Sequence, residues 1–120
     1  INVKLTSKDI LKVAKTDHLL WKWRVYNLIL GIGTIDSKEM ISHKECRLGN
    51  WYYGDLPNHV KSKKTFKDLE QPHMKVHQSA QLAVKCFEMN DPIGIEKAFE
   101  ELEKYSEIVL GLLTDLEKEL

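Results

Sequence analysis

Cysteine and proline are scarce in this chain of 120 residues, which has two cysteines and three prolines. Two cysteines, Cys46 and Cys86, are too few for a disulfide-stabilised scaffold, so we expect a reducing, cytoplasmic setting. Neither sign of charge is in excess, since 18 basic residues balance 18 acidic ones. This balance gives no indication that nucleic acid or an anionic membrane surface is a partner.

Long hydrophobic runs are also missing. The longest apolar stretch, 25–35, is interrupted by Asn27 and is too short to span a bilayer, and no secretory signal is visible. We therefore expect no membrane contact within these residues. The length suits one compact domain, 1–120, and because the sequence begins with Ile1 we expect it to be a fragment of a larger protein.

Three long segments carry apolar residues at alternating steps of three and four, the spacing that places side chains on one face of an α-helix. The first stripe comprises Leu11, Ala14, His18, Trp21, Val25, Leu28 and Ile32. The second comprises Phe66, Leu69, His73, Val76, Ala80, Ala83 and Phe87. The third comprises Ile95, Ala98, Leu102, Tyr105, Val109, Leu112 and Leu116. No segment shows strand-like alternation, so the sequence predicts an all-α protein.

Residues at the ends of these segments predict where the helices begin and end. Thr6 or Ser7 can cap the first helix, and the glycines at 31 and 33 mark its end. Asp91 can cap the third, with Pro92 at its first position, where the φ of proline suits a helix.

The region 34–62 is less regular. It predicts a short helix opened by Ser37, another over 48–54 and a turn at Pro57 and Asn58. The simplest architecture is an antiparallel four-helix bundle with a short-helix insert that carries Cys46.

The positions of the histidines predict a metal site. His18 and His73 lie within the apolar stripes, and His77 lies one turn beyond His73 on the same face. A buried imidazole is costly unless both nitrogens have partners, and a metal on one nitrogen with a hydrogen bond on the other satisfies both. With Cys46 as the fourth donor, these residues form a set well suited to tetrahedral zinc.

Each of these residues also has a simpler interpretation. A single histidine on an apolar face is usually a core residue bonded to a carbonyl, and an i, i+4 pair on a helix surface needs no metal. A reduced cysteine is often buried as a small hydrophobe, but Cys46 has polar neighbours, and Gly49 permits a tight turn that directs the sulfur inward. The convergence of His18, His73 and His77 on one core favours the metal.

The remaining candidates rank lower. His43 could be an alternate ligand or a group that supports a ligand. His59 could be a helix-start or surface residue. Cys86 has no histidine neighbours and is not expected to bind the metal.

We do not expect an enzyme. His73 and His77 have the spacing of the zinc-protease motif, but Met74 stands where the catalytic glutamate would be. Four protein ligands would also leave no position for an activated water.

Three segments resemble the chemoreceptor zinc-binding domain of bacteria. They are Asp17 to Lys22, with a histidine and a nearby tryptophan; Cys46 to Tyr52, with a Cys-x-Leu-Gly-x-Trp signature; and His73 to His77, with a His-x-x-x-His pair. The middle signature is the specific one. Asn50 departs from the pattern, since lysine is more usual there.

This resemblance implies a homodimeric four-helix bundle that binds Zn²⁺ through His18, Cys46, His73 and His77. It also implies a regulatory domain of a chemotaxis receptor that senses zinc or oxidants such as hypochlorous acid and signals to an output domain in the same full-length chain. Two alternatives are a helical dimerisation module without functional metal and a regulatory domain of a diguanylate cyclase. The sequence does not identify the physiological cue, the zinc affinity or the dimer interface.

Overall fold

The computed structural model describes residues 6–35 and 42–120, in which it has five helices and no strand. The helices are α1 (Ser7–Ile29), α2 (Arg47–Tyr52), α3 (Asn58–Lys61), α4 (Lys64–Glu88) and α5 (Pro92–Glu119). The all-α class is therefore confirmed, whereas the antiparallel four-helix arrangement stays a prediction. The short helix predicted to open at Ser37 lies outside the described residues.

The start of α1 is fixed by a reciprocal capping box. The Asp9 N–H donates to Thr6 Oγ1 at 3.2 Å, and the Thr6 N–H donates to the Asp9 carboxylate at 3.1 Å. These bonds satisfy two amides that lack helical acceptors. Thr6 is thus the capping residue of α1, and of the two predicted candidates, Thr6 and Ser7, the first is confirmed.

The end of α1 differs from the predicted stripe. The helix ends at Ile29, and Gly31 follows with φ +76°, in the left-handed region that favours glycine. Because the chain leaves the helix there, Ile32 is 71% exposed, and its predicted place in the buried stripe is wrong. Leu11 and Val25 of the same stripe are fully buried, as predicted.

Helices α4 and α5 form a hairpin joined by 89–91. The Gly94 N–H donates to Asp91 Oδ1 at 3.1 Å, and Pro92 is the first helical residue, as predicted. The connection is too short to cross the bundle, so the two helices are antiparallel neighbours, and they pack along most of their length.

The core lies where α1 packs on this hairpin, with contacts to both α4 and α5. It is built from the apolar faces that the three stripes predicted. Its fully buried members include Leu11, Val25, Leu69, Val76, Leu102, Val109 and Leu116. Leu113, which the third stripe did not include, is also fully buried, whereas the predicted Leu112 is only partly buried.

The two short helices complete the described fold. Helix α2 packs against α1, and α3 packs against α4. The turn predicted at Pro57 and Asn58 is the start of α3, whose Val60 is only 3% exposed. Because burial of an apolar side chain is favourable, the packing of Val60 in the core stabilises this segment as a helical turn.

Candidate metal centre

Four side chains from three helical elements converge on one point beside the core. His18 comes from α1, Cys46 from the residue that caps α2, and His73 and His77 from α4. One potential ligand atom from each residue lies within 4.8 Å of those of the other three. The structure thus brings together the four residues that the sequence singled out.

His18 is oriented by its own helix. Its Nδ1 lies 2.8 Å from the Ala14 carbonyl oxygen, which can only accept, so Nδ1 carries the proton. The other ring nitrogen, Nε2, then holds a lone pair; it is buried and has no hydrogen-bond partner in the described structure. A buried acceptor without a donor is costly, which indicates that Nε2 faces a group other than protein.

The two histidines of α4 face His18 across the interface with α1. The ring centroids of His73 and His77 are 5.0 Å apart, and that of His18 is 5.1 Å from the first and 5.7 Å from the second. The residues are four positions apart on α4, so both rings project from the same face. All three imidazoles are at most 6% exposed.

Cys46 completes the cluster from the N-terminus of α2. Its Sγ accepts a hydrogen bond from the Gly49 N–H at 3.4 Å and lies 3.2 Å from His73 Nε2. The sulfur therefore takes the part that a serine or threonine oxygen takes in an ordinary helix cap. This cap fixes the direction of the thiol toward α4.

Gly49 has a different role from the predicted tight turn. It lies within α2 rather than in a turn, and a Cβ at this position would come within 2.0 Å of the His43 carbonyl oxygen. A glycine is needed here because the 42–46 segment approaches α2 so closely.

Two histidines of the cluster, His18 and His73, resist protonation. Burial lowers the pKa of His18, and burial together with the neighbouring imidazoles lowers the pKa of His73 to about 2. Both rings are therefore neutral at physiological pH, and neutral imidazole is the form that binds metals. Burial also raises the pKa of the Cys46 thiol, although the Gly49 N–H opposes this shift; a bound cation would favour the thiolate.

These residues fit zinc. Three imidazole nitrogens and one thiolate are a donor set typical of tetrahedral Zn²⁺, whose bonds of about 2.0–2.3 Å bring ligand atoms within roughly 4 Å of one another. The observed limit of 4.8 Å is close to this spacing. The lone pair on His18 Nε2 then gains a partner, and the Ala14 carbonyl holds the ring as an outer hydrogen-bond acceptor.

A cleft of about 470 Å³ leads from the surface to one side of the cluster. Its walls include His18, Cys46 and His77. Asp17 and Arg47 also line it and form an ion pair at 3.5 Å that links α1 to α2. The hydrogen bond that orients the His18 ring is made with the Ala14 carbonyl and not with Asp17.

His43, Tyr53 and Glu70 form a hydrogen-bond network beside His73. His43 Nε2 is 3.1 Å from the Tyr53 hydroxyl, which donates to Glu70 at 2.8 Å. The His43 ring centroid is 5.7 Å from that of His73. Sequence spacing gave no signal for this hydrogen-bond network, because Tyr53 and Glu70 are brought together only by the packing of α2 near α4.

The other residues with metal-binding side chains lie apart from the cluster. His59 is exposed in the short helix α3, as its neighbourhood predicted. Cys86 is buried near the C-terminus of α4, and a Cβ on Gly94 would come within 2.7 Å of its sulfur.

A family model for the chemoreceptor zinc-binding domain matches residues 18–84. The match covers more than half of the chain and includes all four clustered residues. The chain belongs to the chemoreceptor zinc-binding domain family. Searches of curated proteins and of solved structures gave no significant match.

Membership in the chemoreceptor zinc-binding domain family agrees with the resemblance seen in the sequence. Domains of this family are regulatory rather than catalytic. They occur in chemoreceptors together with output domains. In the part of the chain that the structure describes, no helix has the length and hydropathy needed to cross a membrane.

Proposed function

We propose that this chain is a regulatory zinc-binding domain of a bacterial chemotaxis receptor, with His18, Cys46, His73 and His77 as the ligands of one Zn²⁺. The observation that carries the proposal is the convergence of three buried imidazoles and one thiol within 4.8 Å in a member of this family. Bound zinc would hold Cys46 as a thiolate and link α1, α2 and α4 at one point.

The reactive group of the proposed sensor is the Cys46 sulfur. The side chain is only partly buried and borders the cleft, so a small oxidant can reach it. With hypochlorous acid, the thiolate sulfur attacks chlorine and hydroxide leaves. Water then replaces chlorine to give sulfenic acid, chloride and a proton, so that sulfur loses two electrons and chlorine gains them. Sulfenic acid is a poor ligand, which would free the Cys46 segment from α4.

The signal would pass to an output domain of the same full-length chain, of which residues 1–120 would form one domain. We expect the domain to act in the cytoplasm as a homodimer. An exposed apolar row on α1 supports dimer formation, since Leu20 is 55% and Trp23 64% exposed on neighbouring turns.

The first experiment is elemental analysis of the protein purified without added metal. We expect about one zinc per chain in the parent and a large loss in His18→Gln and His73→Gln, since each change removes one donor from a four-ligand site. His59→Gln is the matched control, because His59 is exposed and lies outside the cluster.

Two results would contradict the proposal. One is a parent protein that retains no zinc after zinc has been supplied and the excess removed, which would favour a metal-free helical dimerisation module. The other is equal zinc content in the parent, His73→Gln and His59→Gln.

A further inference from the structure

His43 lies beside the cluster, next to His73. Its ring centroid is 5.7 Å from that of His73, which equals the separation of His18 and His77. It also belongs to the turn that ends at Cys46, whose S–H can donate to the His43 carbonyl oxygen at 3.6 Å. A shift of this turn therefore moves the imidazole and the thiol together.

The hydrogen bonds of His43 define which nitrogen can accept a metal. The Tyr53 hydroxyl has one hydrogen, and it donates this hydrogen to the Glu70 carboxylate at 2.8 Å. The His43 Nε2 atom, 3.1 Å from the same hydroxyl, must then be the donor in their contact. The proton is on Nε2, and Nδ1 keeps a lone pair.

This arrangement resembles the support that metal-binding histidines ordinarily have. One ring nitrogen donates to an acceptor that is itself held by a carboxylate, and the other nitrogen is available to a metal. Tyr53 and Glu70 provide such a support for a residue outside the four-ligand cluster.

We propose that His43 is a reserve zinc ligand, which binds through Nδ1 when Cys46 no longer does. The inference rests on the zinc site proposed above and concerns its regulation. Loss of the thiolate would then change the ligand set from three histidines and a cysteine to four histidines, and the metal would stay in the domain. The sensor would respond to oxidation by a movement of the 42–46 turn rather than by release of zinc.

The test is a double-mutant cycle in zinc affinity, measured by competition with a chromophoric chelator. We expect His43→Gln alone to change the dissociation constant by less than about threefold, because Cys46 is present. In the Cys46→Ala background the same change should weaken binding by about tenfold or more, because the replacement ligand is then missing. His59→Gln in the Cys46→Ala background is the matched control and should have no effect.

Cobalt substitution gives a second measurement. If His43 had only a structural role, the His43→Gln change would leave the visible spectrum of bound Co²⁺ unchanged. Cys46→Ala loaded with Co²⁺ should lack thiolate-to-cobalt charge transfer but keep the intense visible bands of a four-coordinate ion. The His43→Gln/Cys46→Ala protein should lose that intensity. If the double variant does not fold, Tyr53→Phe in the Cys46→Ala background should still weaken zinc binding, because the ring loses its support.

The possible failures are distinguishable. A parent that binds no zinc overturns the proposed function and this inference together. A parent that binds zinc, with His43→Gln having the same effect in the presence and absence of Cys46, overturns the reserve ligand alone. Equal losses of zinc affinity for His43→Gln and His59→Gln in the Cys46→Ala background would also overturn the reserve ligand alone.

Discussion

The orientation of one imidazole in the candidate metal site is determined by the protein itself. At His18 the Ala14 carbonyl, 2.8 Å from Nδ1, selects the tautomer and holds the ring at one angle. The same helix that buries the ring supplies this acceptor, since Ala14 lies one turn earlier. The cost of burying the free Nε2 atom is then offset only when a ligand reaches it. At the scale of one residue, the unpartnered Nε2 atom of His18 therefore favours a bound ligand at this position.

Gly49 is the residue on which the position of the thiol depends. The His43 carbonyl would lie 2.0 Å from a Cβ at this position, and the Lys44 carbonyl carbon 2.8 Å. Both are backbone atoms of the turn that leads into Cys46. They cannot rotate away as a side chain could, so any larger residue must displace the turn.

We predict that Gly49→Ala weakens zinc binding by about tenfold or more, since outer-shell changes that misplace a ligand have effects of this size. The measurement is the zinc dissociation constant by chelator competition. Gly111→Ala is the matched control: this glycine is exposed in α5 with no atom near its missing Cβ. The control should leave affinity unchanged and raise the free energy of unfolding by up to about 1 kcal/mol. Equal affinities in the two variants would disprove the role given to Gly49.

Residue pairs across the site were beyond prediction from sequence. The stripes correctly placed His18 and His73 in the interior, because burial follows helical periodicity. They could not show that Asp17 pairs with Arg47, or that Tyr53 bridges His43 and Glu70. Those contacts join segments far apart in the chain, and their partners are determined by how α2 docks.

At the scale of elements, α2 is a short helix whose position depends on its neighbours. It has only six residues, too few for an isolated helix to be stable, so its position depends on tertiary contacts. Trp51 is one such contact: it is 8% exposed, stacks edge-on against Phe66 and donates from Nε1 to Ser7 Oγ at 3.0 Å. Cys46 at the start of α2 provides the contact that oxidation would break.

We predict that oxidation of Cys46 by hypochlorous acid changes the intrinsic tryptophan fluorescence. Release of the sulfur from the cluster should loosen α2 and expose the Trp51 indole to water, which shifts its emission to longer wavelength. The measurement is an emission spectrum taken together with mass-spectrometric quantification of Cys46 oxidation.

Cys46→Ala is the control for this experiment. It should show no oxidant-dependent shift, whereas Cys86→Ala, which lacks only the cysteine outside the cluster, should behave like the parent. An unchanged spectrum in the parent at complete Cys46 oxidation would mean that α2 does not respond to the state of the thiol.

Helix limits were predicted well where the chain carries explicit end signals. Thr6 and Asp91 begin their helices as expected, and the second stripe correctly continued through Pro72. An interior proline costs about 3 kcal/mol in a helix, but burial of the surrounding apolar face outweighs this cost. The first stripe was wrong at Ile32, because the left-handed turn at Gly31 ends α1 regardless of the apolar spacing beyond it.

Across the whole molecule, the candidate site lies between helices that pack less extensively than α4 and α5 do. Helices α4 and α5 pack along most of their length, whereas α1 packs less extensively on α4, and α2 contacts α1 and also, through Trp51 and Tyr52, Phe66 of α4. The four clustered residues come from α1, the start of α2 and α4, so a metal bound by all of them would join these elements at one point. Without a metal, the cluster brings three buried imidazoles and a thiol together with one of its ring nitrogens, His18 Nε2, lacking a hydrogen-bond partner in the described structure.

We therefore predict a strong dependence of thermal stability on zinc. Because zinc would bind only the folded chain, free zinc at about 100 times its dissociation constant should add about 2.7 kcal/mol to the free energy of unfolding. For a domain of this size that corresponds to a rise in melting temperature of roughly 10 °C. The measurement is a calorimetric or circular-dichroism melt with and without a strong chelator. His73→Gln should melt at nearly the same temperature in both conditions, since it lacks a ligand of the cross-link. If the parent and His73→Gln respond equally to chelation, the metal does not act through this cluster, and the stability of the fold resides in the α1, α4 and α5 core alone.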